Sequence, residues 1–299
     1  MIDWSQLIQQ IVSGLAAGGI YAILALALVL IHRATGVINF AQGEMAMFST
    51  YIAWSLLYTY DLPYLAAFVI TLAISAAGGA AIYGTVIRPL SRAGELVIVI
   101  ATIALFVIIN GLAGWIWSPE IKFIESPFPN GVLTIGDVVI SEQDIGVFCV
   151  SIACVVAVFL LFRFTRTGLM MRASAIRPAT SRLLGIRVTL MLAVGWGLAS
   201  ALGAVAGMMA APPLGLEPSF MLTVLVYAFA AAVLGGLDSP AGAVAGAYIL
   251  GVGISLLSTY VDFVSQSQEF KLPIALAVLL LVLLFKPAGL FGRTVTRRV

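Results

Sequence analysis

The sequence predicts an all-α protein. It would be a polytopic bundle of about nine transmembrane helices, bounded at eight to ten, forming one domain over residues 1–299. Three observations predict this. Hydrophobic residues make up 62% of the chain and charged residues 9%, with a mean hydropathy of +1.13, whereas soluble domains run about 25% charged and about 45–50% apolar. A chain of this kind lacks the polar side chains to cover a water-facing surface, so lipid is the solvent for most of it. Uncharged stretches recur at the length a bilayer needs, and the charges between them sort by sign onto alternate ends.

A spanning helix requires about 20 mostly apolar residues. Stretches long enough are Trp4–Ile31, Leu62–Ile87, Leu96–Pro119, Ile145–Phe162, Thr189–Leu216, Pro218–Leu237 and Ser239–Val261. Two shorter stretches, Met45–Tyr60 with 16 residues and Leu272–Phe285 with 14, span if flanking polar side chains snorkel or their helices begin earlier. Gly- and Pro-rich segments that enter without crossing set the bounds on the count. Met1-Ile2-Asp3-Trp4 has no basic character, and the run Leu7–Ile31 is too long for a signal-peptide core, so the first helix is expected to remain.

With nine crossings, Arg33, Arg88, Arg92, the series from Arg163 to Arg187, Lys286, Arg293, Arg297 and Arg298 all fall on one side. Only Lys122 and Lys271 fall on the other, among the acids Asp61, Glu120, Glu125, Asp137, Glu142, Asp144, Glu217, Asp262 and Glu269. Basic loops stay in the cytoplasm, which puts the N-terminus outside and the C-terminus inside. An external loop covers about 118–144 and a cytoplasmic one about 163–187. Pro127, Pro129, Asn130-Gly131 and Gly136-Asp137 punctuate the first, leaving Val132–Ile135 and Val138–Ile140 as arms of a small hairpin.

Several chemistries are excluded. No Gly-Lys pair occurs, so no phosphate loop of the G-x-x-x-x-G-K-[ST] type is present. His32 is the single histidine and lies beside Arg33 at a helix end, which suits an interfacial anchor better than a metal ligand or a catalytic base. Cys149 and Cys154, five residues apart on one helix, do not face each other and are expected to serve packing. A net charge of +2 implies no nucleic-acid partner. No metal, cofactor or catalytic residue is expected.

Three segments carry the functional expectations. Asn39, Gln42, Gly43 and Glu44 form the most polar part of any predicted crossing and contain the single carboxylate within an apolar zone. Intramembrane ionisable groups are expensive and often functional, so an irregular or broken helix beside the translocation path is one reading. The other is an interfacial Glu44 paired with Arg33 or another arginine. The second segment interleaves arginines with apolar residues. Arg172, Arg177, Pro178, Arg182, Leu183, Leu184, Gly185 and Ile186 would form short helical pieces, broken at Pro178 and stopped at Gly185, that couple to a cytoplasmic protein. The alternative is an amphipathic surface helix resting on anionic lipid. Third, Gly235, Gly236, Asp238 and Gly242, with Ser239-Pro240, read as a turn between two helices. The other glycines, among them Gly14, Gly18, Gly203 and Gly207, are expected to give close helix packing.

Several stretches together resemble a known family. They are Gly-Gly-Ile-Tyr-Ala at 18–22, His-Arg-Ala-Thr-Gly-Val-Ile-Asn-Phe-Ala-Gln-Gly-Glu at 32–44, Leu-Met-Met-Arg-Ala-Ser-Ala at 169–175, Ala-Ala-Val-Leu-Gly-Gly-Leu-Asp-Ser-Pro-Ala-Gly-Ala at 231–243 and Lys-Pro-Ala-Gly-Leu-Phe-Gly-Arg at 286–293. In order, they resemble the permease subunits of branched-chain amino-acid ABC importers. The resemblance implies a non-catalytic subunit of the bacterial inner membrane. Its partners would be a second homologous permease, two cytoplasmic ATP-binding subunits and an external substrate-binding protein. The family also includes permeases for urea and short amides. An ion-coupled secondary transporter is the alternative, but such carriers usually hold coupling-ion ligands near the midplane, and here Glu44 is the sole candidate.

Overall fold

The computed structural model describes residues 4–129, 131–261, 270–286 and 289–292. Asn130, Asp262, Glu269, Arg293, Arg297 and Arg298 lie outside the described residues. Helix α1 (Trp4–Thr35) ends on His32 and Arg33, where positive charge complements the helix dipole. Gly36 closes it at φ +77°, its N–H donating to the His32 carbonyl at 2.7 Å. Only glycine takes this left-handed closing position freely.

Residues 36–41 are not helical, and α2 (Gln42–Tyr58) follows. Helix α3 (Tyr64–Ile82) continues through a π segment, Tyr83–Ile87, into the short α4 (Arg88–Leu90). Then come α5 (Glu95–Trp117) and an antiparallel hairpin of β1 (Val132–Ile135) and β2 (Val138–Ser141), paired Val132 to Ser141 and turning at Gly136 with φ +64°. The remaining helices are α6 (Glu142–Phe164), α7 (Arg166–Ile176), α8 (Pro178–Leu183), α9 (Val188–Leu214), α10 (Phe220–Gly235), α11 (Pro240–Tyr260) and α12 (Lys271–Phe285).

Among the described residues, six helices are long and apolar enough to cross a membrane: α1, α3 with its continuation to Leu90, α5, α6, α9 and α11. Helices α10 and α12 are apolar but shorter. The all-helical fold and its membrane character therefore follow the sequence reading. The hairpin also forms where the turn residues put it.

The chain divides into two compact units. In one (Leu30–Glu125 and Ala153–Leu222), α2 packs on α3, α5 and α9. Small residues set the spacing: a Cβ on Gly79 of α3 would lie 2.6 Å from both the Ser200 Cβ and the Trp196 carbonyl oxygen of α9. A Cβ on Gly207 would run into Thr50 of α2. The Ser75 hydroxyl donates to that of Ser49 at 2.7 Å, and Tyr51 stacks on Trp117 with ring centres 5.0 Å apart. Lipid offers little hydrophobic drive between helices, so close packing and interhelical hydrogen bonds replace it.

The other unit comprises Met1–Val29, Ser126–Ile152 and Thr223–Val299. Here α1 meets α11 through Gly14 and Gly18, where added Cβ atoms would lie 2.7 Å from Val252 Cα and 3.0 Å from the Ala247 carbonyl oxygen. Ser13 donates to Asp144 at 3.0 Å, and the Ser151 and Tyr248 hydroxyls share a 2.8 Å hydrogen bond. After α12 the chain returns to α10: the Leu290 and Phe291 N–H groups donate to the Leu234 and Gly235 carbonyls at 2.7 and 3.1 Å. Of the two cysteines, Cys149 departs from the packing expectation. Cys149 is exposed and Cys154 half-buried, because α6 turns much of its surface outward.

Candidate functional site

The polar stretch after α1 folds inward. Asn39 Oδ1 accepts from the Ala41 N–H at 3.1 Å, which shapes the turn into α2. Its Nδ2 donates to Gln42 Oε1 at 3.2 Å. Gln42 Nε2 in turn donates to the Ala199 carbonyl of α9 at 2.8 Å. That bond needs room: a Cβ on Gly203, one turn further along α9, would lie 2.9 Å from the same amide nitrogen. Asn39 and Gln42 are fully buried, Gly43 is buried, and Glu44 is 1% exposed.

Glu44 Oε2 accepts from Asn110 Nδ2 of α5 at 3.2 Å, and Asn110 also donates to the Pro218 carbonyl at 2.8 Å. Among the described residues no arginine pairs with Glu44, so the expected pairing with Arg33 or another arginine is corrected: an amide meets the carboxylate inside this unit. Burying an ionisable group costs free energy unless it is paired and hydrogen-bonded. The sequence reading missed Asn110, yet a signal was present: it is the one amide in the uncharged run Leu96–Trp117.

The segment from Arg166 to Ile186 is built from two short helices. Thr165 caps α7 by accepting the Gly168 N–H at 3.0 Å. Arg177, at φ −139° and ψ 75°, is held out of helical geometry before Pro178. Pro178 opens α8 at its first turn, where a missing N–H costs nothing. Gly185, at φ +79°, ends it. Leu183 is 89% exposed and Leu184 76% exposed. Arg177, Arg182 and Gly185 are also exposed, and Ile186 is half-buried. Arg172 differs from these exposed neighbours: its Nε is buried without a hydrogen-bond partner, in a crevice it shares with residues of α1 and α9.

Gly235 and Gly242 come together at the α10–α11 turn so closely that a Cβ on either would strike backbone of the other. Gly236 takes φ +104°, Ser239 Oγ accepts from the Gly242 N–H at 3.0 Å, and Asp238 is exposed. The close approach of Gly235 and Gly242 makes the turn a packing device, and the Gly235 carbonyl is closed from outside it by the Phe291 N–H.

Apolar helices of membrane-crossing length, a polar knot buried between α2 and two of them, α5 and α9, and an exposed apolar-basic segment define a multi-pass membrane protein. The chain belongs to the family described as the permease component of branched-chain amino acid transport systems, whose sequence profile matches residues 10–283. It is 30% identical over 305 residues to the high-affinity branched-chain amino acid transport system permease protein BraD of Pseudomonas aeruginosa, covering 98% of each chain. It is 29% identical to LivH of Escherichia coli, a permease protein of the same description, covering 98% of this chain and 97% of the relative. A probable branched-chain amino acid transport permease of Methanocaldococcus jannaschii is 29% identical over 289 residues, covering 90% of this chain and 88% of the relative. No solved structure is a significant match.

Proposed function

We propose that this chain is the membrane-embedded permease subunit of an ABC importer that carries branched-chain or related amino acids across the bacterial inner membrane. Urea or short amides are the nearest other cargo. The carrying observation is the family match over residues 10–283, which runs through both compact units. On this reading the units act as one permease domain, and ATP hydrolysis resides elsewhere. The partners are a second homologous permease, two cytoplasmic ATP-binding subunits and an external substrate-binding protein.

Nine crossings result if α2, α10 and α12 span as well. Their 17, 16 and 15 residues reach about 22–26 Å at 1.5 Å per residue, short of a roughly 30 Å core. Local thinning and snorkelling cover that difference. The N-terminus is then outside and the C-terminus cytoplasmic. Asn39, Gln42, Gly43 and Glu44 lie beside the translocation path, and their polarity supports a place where water or substrate arrives during the cycle. Arg177 to Ile186 receives the motor's stroke, with Leu183 and Leu184 as its apolar anchors.

The test is uptake of radiolabelled leucine by cells expressing this chain with its partner subunits. Uptake that persists unchanged when this chain alone is deleted would overturn the proposal.

A further inference from the structure

We infer that Arg33 and Arg172 form a binding site for the phosphate of an anionic phospholipid, whose first acyl carbons lie in the apolar crevice between them. The crevice is walled by Leu30, Phe162, Met171 and Leu192, with the two guanidinium-bearing residues also on its lining. Its place in the fold decides what fills it. Leu30 and Arg33 are near the end of α1, Phe162 is near the end of α6, and Leu192 is near the start of α9. All three helices are long and apolar enough to cross a membrane, so a cleft at their ends lies at headgroup depth.

Charge argues the same way. The Arg172 Nε is buried with no hydrogen-bond partner, and among the described residues no carboxylate closes an ion pair with Arg172 or Arg33. A guanidinium presents a planar fork of donors that matches phosphate oxygens, and an unpaired buried donor is costly unless something accepts from it. An apolar wall beside two free cations fits one molecule with both characters: a phosphate ester joined to a hydrocarbon chain. The site does not depend on which solute the protein carries. It also separates Arg172 from the exposed residues Arg177 to Gly185, which follow it in sequence but sit outside the crevice.

The experiment uses the full-length chain, purified in a neutral detergent with the subunits that co-purify. It is titrated with dioleoyl phosphatidylglycerol, dioleoyl phosphatidylcholine or inorganic phosphate. Melting temperature and lipid adducts in native mass spectra are read together. Phosphatidylglycerol should raise the melting temperature and give a discrete adduct at ratios where phosphatidylcholine does neither. Arg33→Gln with Arg172→Gln should weaken that binding roughly 30-fold, about 2 kcal/mol at about 1.4 kcal/mol per tenfold. Arg182→Gln, on the exposed segment, should leave it intact. Equal effects of the two lipids would overturn the inference, as would undiminished binding by the double variant or an equal loss in Arg182→Gln. The same shift from inorganic phosphate alone would show an anion site without the lipid. Should the double variant misfold, the comparison of phosphatidylglycerol with phosphatidylcholine on the unmodified chain still decides.

Discussion

Replacing Leu184 by Asp separates folding from coupling, because the side chain touches little of its own chain. At 76% exposed, Leu184 contributes little core burial, and surface substitutions of this kind change stability by about 0.5 kcal/mol or less. A partner that covers this side chain gains about 1.5–3 kcal/mol from full burial of a leucine. Aspartate forfeits that gain and brings a charge that must be desolvated. The expected loss is therefore about 3 kcal/mol or more, on the order of a 100-fold weaker association. Arg182→Ala removes an exposed charge, for which pairing is worth about 0.2–1 kcal/mol, a factor of about five at most. The assay is co-purification of the ATP-binding subunits followed by substrate-stimulated ATP hydrolysis in the reconstituted complex. The melting temperature should match the unmodified protein for both variants, while stimulation collapses only for Leu184→Asp. Normal assembly together with normal stimulation in Leu184→Asp would refute the coupling role and favour a segment that merely rests on lipid.

Gly79→Ala should melt several degrees lower, since its Cβ would press the Trp196 carbonyl at 2.6 Å. Overpacking costs about 1–3 kcal/mol, against a helix-propensity gain of about 1. Gly78→Ala, with nothing within 4 Å of its Cβ, should match or exceed the unmodified protein, and a reversed order of melting would contradict the packing account. Glu44→Gln keeps an acceptor for Asn110 and should retain most uptake, whereas Glu44→Leu should lower it at least about tenfold, the scale of a lost hydrogen bond to a charged group; full uptake with leucine at matched membrane levels would remove Glu44 from the path. In a background with Cys149 and Cys154 replaced by serine, a cysteine at the exposed Phe123 should react with an impermeant maleimide from outside and one at Leu183 only after permeabilisation. The opposite pattern would invert the topology.

Helices were legible in this sequence wherever a long stretch excluded charge, because an uncompensated charge in lipid is costly and its absence is therefore informative. The α7–α8 break was legible for a different reason: Pro178 and Gly185 restrict backbone geometry locally. Residues tied to distant partners were not. Gln42 opens α2 three residues before the apolar run begins at Met45, because its amide reaches a carbonyl 157 positions away. Asn110 bonds to Glu44 across 66 positions and to Pro218 across 108, distances over which residue spacing carries no information. Arg172 looked like its exposed neighbours because an arginine on a basic segment reads the same whether its stem lies in a cleft or in water. Helix α10 (Phe220–Gly235) is shorter than the uncharged run Pro218–Leu237 for a related reason: an uncharged run marks where lipid is tolerated, and backbone turns end the helix sooner.

The return of the chain to α10 has a consequence for biosynthesis. The last carbonyls of any helix lack internal donors, and for Leu234 and Gly235 the donors are the N–H groups of Leu290 and Phe291. Gly289, at φ +78°, lets that clasp lie against Gly236, where a Cβ would meet backbone at 2.5 Å. A ribosome that has finished α10 has thus made a helix whose final hydrogen bonds wait on more than fifty further residues. The α10–α11 turn reaches its finished form only after Leu290 and Phe291 have been made, so a nascent chain stalled before them presents an open helix end.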